Sequence, residues 1–175
     1  EIDSSKYKIY HTKKTRLYTD TINDAAAIYN NKILDSPSFQ LRNKLNSKIG
    51  NNIVLKIGTP KLKKKVSGTV LSLLTGGAGN DSYFHWLYDV LPKIYIYESS
   101  TINKKIDYYL FPDTKFKYQK ETIEALEINK NKILSSKKFR HIESDELIIT
   151  SHPWVLTRDP KYNDANVPIW ITKWL

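Results

Sequence analysis

The sequence contains no cysteine and no methionine among its 175 residues. Without cysteine, disulfide bonds and thiolate metal sites are excluded, and a reducing compartment is compatible with this composition. Because methionine is missing even at position 1, we expect that Glu1 is not the natural start. Residues 167–175 are predicted to form a helix that stops while still apolar, without a stop signal. Both observations lead us to expect a fragment.

Long apolar runs are also missing, and none approaches the roughly 20 residues needed to cross a bilayer. No signal-peptide pattern opens the chain, so we expect a soluble protein without a transmembrane segment. The formal net charge of +10 allows two interpretations: a solvated surface, or a surface for nucleic acid or another anionic partner. The excess is mostly lysine spread along the chain, with its densest run at 61–65. We therefore favour the solvated surface and expect no specific nucleic-acid partner.

The pattern of residues 1–66 predicts a β-rich N-terminal segment. Short β-prone stretches alternate with turn residues, and Asn30-Asn31 can adopt the left-handed conformation of a hairpin turn. The predicted strands are 6–11, 16–19, 25–29, a return strand beginning at 33–34, and 53–55.

Residues 67–175 instead predict alternating strands and helices. Apolar runs indicate buried strands, and the stretch up to residue 90 is predicted to be a helix that Pro92 ends or kinks. This order favours an open α/β sheet. The predicted elements are strands 70–74, 106–111, 139–142 and 147–150, and helices 83–90 and 118–126.

A glycine-rich loop joins the first of these strands to the helix, and it contains Gly76, Gly77, Gly79 and Asn80. Glycines allow positive φ and close approach of a ligand, and the helix start that follows offers free amide donors for an oxyanion. In open α/β sheets, ligands bind at the carboxyl ends of strands, where this loop is predicted to lie. Tight packing of the helix on the strand explains such a loop equally well.

His85 and Asp89 are four residues apart, so on a helix they share one face. A carboxylate beside an imidazole fixes its tautomer, and the pair can act as a general base. The alternative is a structural histidine with a local carboxylate partner. His141 and His152 have no matching carboxylate pattern and form no spaced metal motif with His85, so no metal site is predicted.

Aromatic residues alternate with this polar pair in the sequence. Tyr83 and Trp86 could stack on the face of a sugar ring, although aromatic residues at helical spacing more often belong to a core. Both interpretations remain open at this stage.

The stretch from Leu73 to Lys93 resembles the signature of glycosyltransferase family 61. That signature is a glycine-rich loop followed by an aromatic-histidine-tryptophan-leucine run and then aspartate, leucine, proline and a basic residue. Ser82 stands where asparagine is usual, and Lys93 where arginine is commoner. Weaker similarity extends over most of the chain, including residues 16–20 and 118–128. The residues that carry the resemblance are Tyr83, Phe84, His85, Trp86, Leu87, Asp89, Leu91, Pro92 and Lys93.

The resemblance implies the N-terminal, acceptor-side lobe of a two-lobed, GT-B-type inverting transferase, with a Rossmann-like sheet. It implies His85 as the catalytic base and Asp89 as the group that orients it. The partners would be a glycan acceptor and a nucleotide-sugar, the latter held mainly by a C-terminal lobe that this chain lacks. No metal or other cofactor is expected. The implied substrate-binding residues are Gly76, Gly77, Gly79, Asn80, Tyr83, Trp86 and Lys93.

The implied setting is synthesis of surface polysaccharide in the bacterial cytoplasm or at the inner face of its membrane, where peripheral membrane contact is compatible with the sequence. The fragment alone is expected to be inactive. The alternative function is a non-catalytic basic module that binds carbohydrate or another anionic polymer.

Overall fold

The computed structural model describes residues 2–21, 23–38, 50, 52–76, 81–156 and 165–175. Its strands are β1 (Ile9–Thr19), β2 (Ala25–Tyr29), β3 (Lys32–Ile33), β4 (Lys64–Ser72), β5 (Tyr108–Phe111), β6 (Ile133–Ser135), β7 (His141–Thr150), β8 (Val155–Leu156) and β9 (Ala165–Asn166). Its helices are α1 (Ile53–Ile57), α2 (Tyr83–His85), a π-helical turn (Trp86–Val90), α3 (Pro92–Glu98), α4 (Lys117–Ala125) and α5 (Ile169–Trp174). Short 3-10 turns occupy Ser4–Lys6, Ser36–Ser38 and Lys130–Lys132.

Seven strands form one open, mixed sheet in the order β3-β2-β1-β7-β4-β5-β6. The pairs β7–β4, β4–β5 and β5–β6 are parallel, whereas β1–β7, β1–β2 and β2–β3 are antiparallel. Helices connect the parallel strands, as this pairing requires. The expected α/β class is therefore confirmed, with a parallel half and an antiparallel half in one sheet.

The central strands are buried on both faces, which explains their nearly continuous apolar sequences. On β4, Leu71 belongs to one apolar cluster and Val70 to the opposite one. On β7, Ile148 and Leu147 alternate between the same two clusters. The first cluster includes Trp86 and Leu91 from the helical segment after β4, so this segment packs against the sheet.

The helical segment after β4 changes geometry before Pro92. A proline within an α-helix clashes with the carbonyl of the residue four positions earlier. Here the wider π turn Trp86–Val90 precedes it, with Leu91 N–H donating to the carbonyl of Trp86 at 3.2 Å, and α3 then starts at Pro92. The expected interruption followed by continuation is confirmed. Such π turns are rare and occur frequently at functional sites.

Several predicted boundaries are wrong for identifiable reasons. Residues 53–55 lie in helix α1 rather than in a strand, because the Asn52 side chain caps its N-terminus by accepting from Val54 N at 3.1 Å. Residues 141–142 and 147–150 belong to one strand, β7, which pairs along its length with β1 and β4, whereas residues 139–140 precede it. Residues 9–11 and 16–19 likewise belong to one strand, β1, whereas residues 6–8 precede it.

Other local predictions are confirmed. Asn30 and Asn31 both have positive φ, 48° and 59°, in the tight turn between β2 and β3.

The expected division at residue 66 falls inside β4, and strands from both sides of it pair in the same sheet. Within the described ranges, no helix is long and apolar enough to cross a membrane.

Candidate active site

The carboxyl ends of β4 and β7 define the location of the site. After β4 the chain continues along the sheet through β5 and β6, and β7 then returns to the opposite side of β4. Ligands in open α/β sheets bind at such a reversal, beyond the carboxyl ends of the strands. Ser72 and Ile149 are paired in register there, so the segments that follow both strands begin side by side.

His85 and Asp89 form the centre of the site. Nδ1 of His85 lies 2.5 Å from Oδ2 of Asp89, and the His85 side chain is 27% exposed whereas that of Asp89 is completely buried. Because the ionised carboxylate can only accept, the His85 Nδ1–H must donate. The other ring nitrogen, Nε2, then has a lone pair available to accept a proton. The shared helical face predicted from the sequence is confirmed.

The buried carboxylate of Asp89 has further partners. Trp154 Nε1 donates to Oδ1 at 2.5 Å, and Nε2 of His152 lies 3.6 Å from Oδ2, within ion-pair distance. Burial by itself would raise the pKa of Asp89. The interaction with His152, the His85 hydrogen bond and the charge of Lys93 outweigh burial and lower this pKa far below its usual value. Asp89 is therefore an anion at neutral pH.

Lys93 was expected to contact substrate, but the structure places its side chain in the core. It is fully buried, and Nζ donates to the backbone carbonyl of Asp89 one helical turn earlier. Burial lowers the pKa of Lys93 to about 8, opposed only in part by the Asp89 charge. Lys93 therefore contributes positive charge beneath Asp89 rather than a group that a ligand can reach.

The aromatic residues of the signature divide between core and surface. Trp86 is only 2% exposed, donates from Nε1 to Thr122 Oγ1 at 2.9 Å and stacks on Phe111, so the expected substrate contact is replaced by a core position. Tyr83 is 57% exposed and Phe84 40% exposed. The Phe84 ring packs edge-to-face on the His85 ring at 5.5 Å between centroids. Phe84 is therefore the exposed aromatic residue in contact with the imidazole, whereas the exposed ring of Tyr83 contacts Tyr118.

The space beside Gly76 is occupied by the side chain of His152. The φ of Gly76 is 85°, and a Cβ built there would lie 2.1 Å from Cδ2 of His152. The close approach expected at this glycine is therefore made by the His152 ring. Gly77, Gly79 and Asn80, the other loop residues expected to bind substrate, lie outside the described residues.

No known family model, curated protein or solved structure matches this chain. Within the described part of the chain, no group of three or more His, Asp or Glu side chains is arranged to hold a metal ion. What the geometry offers is an imidazole whose outer nitrogen accepts protons, backed by a buried anion.

His152 and Trp154 are the residues of this site that sequence reasoning missed. They follow β7, far from the signature in the chain, and no periodicity connects them with Asp89. The one available signal was positional: residues after β7 should meet residues after β4 if the two strands are parallel neighbours. That pairing was not predicted from the sequence.

Proposed function

We propose that this chain is the acceptor-side part of a glycosyltransferase similar to family 61, in which His85 is the general base. The observation that carries the proposal is the 2.5 Å contact between His85 Nδ1 and Asp89 Oδ2, with the imidazole partly exposed and the carboxylate buried. A base for glycosyl transfer must reach the acceptor while its partner stays shielded from water. The partly exposed imidazole and the buried carboxylate of this pair support such a role.

The proposed reaction proceeds in one displacement. The acceptor hydroxyl gives its proton to Nε2 of His85 as its oxygen forms a bond to the anomeric carbon of the donor sugar. The bond from that carbon to the nucleotide diphosphate breaks on the opposite face, and the electron pair leaves with the diphosphate, so the configuration inverts. Asp89 stabilises the imidazolium that forms, because its negative charge lies next to the protonated ring.

The acceptor is bound by exposed aromatic residues of the helical segment that carries the base, of which Phe84 contacts the His85 ring. The exposed rings of Tyr83 and Phe84 offer apolar faces to the C–H groups of a sugar. Phe84 is held in place by stacking on Tyr88 at 4.8 Å and by edge contact with Trp154 at 6.0 Å. Tyr83 is supported by edge contact with Tyr118 at 4.9 Å. A supported ring loses little conformational freedom when a ligand binds.

The donor is a nucleotide-sugar, held mainly by a second lobe beyond this chain, as in a GT-B-type enzyme with a Rossmann-like acceptor lobe. The proposed setting is polysaccharide assembly in the bacterial cytoplasm. These elements rest on the resemblance of residues 73–93 and on the position of the site at the carboxyl ends of parallel strands.

The alternative of a basic binding module has less support. Some lysines of the described residues face carboxylates, which locally reduces the positive potential available to an anionic polymer. At least six of them form ion pairs with Asp or Glu, namely Lys6, Lys63, Lys104, Lys115, Lys117 and Lys137. Phosphate-dominated binding would require cations concentrated on one surface.

The test is a transfer assay with the full-length protein that carries this chain. Sugar nucleotides are offered in turn with oligosaccharide acceptors, and products are detected by mass spectrometry. We expect His85→Asn to lower turnover by about 10²-fold or more, the range for loss of a general base, with folding unchanged.

The matched control is His11→Asn. His11 is also a partly exposed histidine paired with a carboxylate, Glu146, at 2.7 Å, but it lies on β1. We expect this variant to keep normal turnover. Equal turnover of His85→Asn and wild type would contradict the role of His85, and a wild-type protein inactive with every donor would contradict the transferase proposal itself.

A further inference from the structure

We propose that His152 is a positioning residue: it holds the Asp89 carboxylate in the orientation that fixes His85. The inference deepens the proposed function and depends on it only for its effect on turnover. Its structural part concerns the contact between the two side chains, Nε2 of His152 lying 3.6 Å from Oδ2 of Asp89.

His152 is itself fixed in orientation. Its Nδ1 lies 2.7 Å from the backbone carbonyl of Trp154 and 3.4 Å from the Trp154 amide nitrogen. Its ring packs edge-to-face on the indole of Trp154 at 4.8 Å. With Nδ1 directed at this carbonyl, the ring directs Nε2 toward Asp89. Nε2 then lies 3.6 Å from Oδ2 of Asp89, which is within ion-pair distance.

Three nitrogen-bearing side chains thus surround one carboxylate. Trp154 Nε1 is at 2.5 Å from Oδ1, and His85 Nδ1 is at 2.5 Å from Oδ2. His152 lies on the same oxygen as His85. Without His152, His85 would be the only side chain of the described residues on Oδ2, and rotation about the Cβ–Cγ bond of Asp89 would weaken that contact. A second group at Oδ2 opposes that rotation.

Gly76 leaves the space that the His152 ring occupies. A Cβ at position 76 would lie 2.1 Å from Cδ2 of the His152 ring, so only glycine leaves room for the ring in this position. The site therefore combines the turn after β4 with the segment after β7, and the imidazole of His152 lies at their junction. Simple space-filling would not require a ring nitrogen directed at Asp89.

The experiment compares two amide side chains at position 152 in the full-length protein that carries this chain. In His152→Asn, the shorter amide takes the place of Nδ1 and can still donate to the Trp154 carbonyl, but it cannot reach Asp89. In His152→Gln, the longer amide places a donor where Nε2 was. The readout is the tautomer of His85, measured from ¹⁵N chemical shifts of the imidazole and from the downfield proton signal of its Nδ1–H.

We expect His85 to be in the Nδ1–H tautomer in wild type and in His152→Gln. We expect His152→Asn to lose that preference, with both tautomers populated, and to lower turnover by about 10-fold. His141→Asn is the control, because His141 is also buried and its Nδ1 also lies near a backbone carbonyl, that of Leu62 at 3.1 Å. This control should leave the His85 signals unchanged.

Unchanged His85 signals in a folded His152→Asn variant would overturn the proposal. Equal loss in the Asn and Gln variants would also overturn it, since shape and not the donor would then matter. If His152→Asn does not fold, His152→Phe replaces it as a ring without a donor, with the same two outcomes. The tautomer measurement needs no substrate, so its result is independent of whether the chain transfers sugar.

Discussion

The indole nitrogen of Trp154 donates a 2.5 Å hydrogen bond to Oδ1 of Asp89, which lies 65 positions earlier in the chain. Both side chains are buried, and His85 occupies the other carboxylate oxygen. A buried carboxylate is costly unless its oxygens have donors. The hydrogen bond from Trp154 therefore also helps to keep Asp89 ionised behind the proposed base.

Replacing Trp154 by phenylalanine should destabilise the protein more than the same change at Trp170. Both indoles are buried in one apolar cluster. Trp170 donates to a neutral acceptor, the Tyr7 hydroxyl, at 2.8 Å, whereas Trp154 donates to a charged one. We expect losses of about 2–3 kcal/mol for Trp154→Phe and about 1 kcal/mol for Trp170→Phe. Urea unfolding midpoints provide the measurement, and equal losses would contradict the charged contact.

Substituting Gly76 should reveal the space that His152 requires. Gly76→Ala is compared with Gly58→Ala, since both glycines have positive φ, 85° and 72°, and both changes therefore carry the same kind of backbone penalty. A Cβ at Gly58 meets nothing within 4 Å, whereas one at Gly76 meets the His152 ring.

We expect Gly76→Ala to lower the free energy of unfolding by at least about 1 kcal/mol more than Gly58→Ala does, as in other overpacked sites. Adding His152→Asn to Gly76→Ala should recover part of that difference, because the shorter side chain leaves the space that the new methyl group needs. Equal losses of unfolding free energy in Gly76→Ala and Gly58→Ala would contradict this prediction, because the His152 ring would then move aside without cost.

The buried ammonium of Lys93 predicts a pH dependence of stability. Its pKa is lowered from 10.5 to about 8 by burial. Below pH 8 it is charged in both states, and the cost of burying the charge is present in full. Between pH 8 and 10.5 the unfolded chain holds a proton that the folded chain has lost, so the free energy of unfolding rises with pH.

The comparison is made against Lys93→Met, which keeps a long side chain without the charge. From about pH 7.5 to about pH 9.5, wild type should gain roughly 1–2 kcal/mol relative to the variant. Tyrosines with raised pKa values, such as Tyr97 and Tyr109, are present in both proteins and cancel in the difference. A difference that does not change with pH would mean that Lys93 does not titrate in this range.

Local features were predicted well because they depend on neighbouring residues. The turn at Asn30-Asn31 followed from backbone preferences of asparagine, and the interruption at Pro92 followed from its missing amide. The shared face of His85 and Asp89 followed from their spacing of four. The strand predicted at 53–55 was wrong because an apolar run of three residues fits a strand and a short helix equally, and the cap at Asn52 decided for the helix.

The environment of each signature residue was not predictable in this way. Tyr83, Phe84 and Trp86 are consecutive or nearly so, yet the first two face solvent and Trp86 lies in the core. A basic residue at position 93 suggested a ligand contact, but the helix turns its side chain inward against the Asp89 carbonyl. Which side of the segment faces the sheet is set by the π turn and by the packing on β4 and β5.

Short-range sequence accounts for the glycine-containing loop between a buried strand and a helical segment with His85 and Asp89 on one face, because backbone propensity and helical spacing act over a few residues. The enclosure of Asp89 by Trp154 and His152, and the space that Gly76 leaves for His152, depend on tertiary contacts. Those contacts exist because β7 pairs with β4 in parallel register, an interaction between segments far apart in the chain that no short-range pattern specifies.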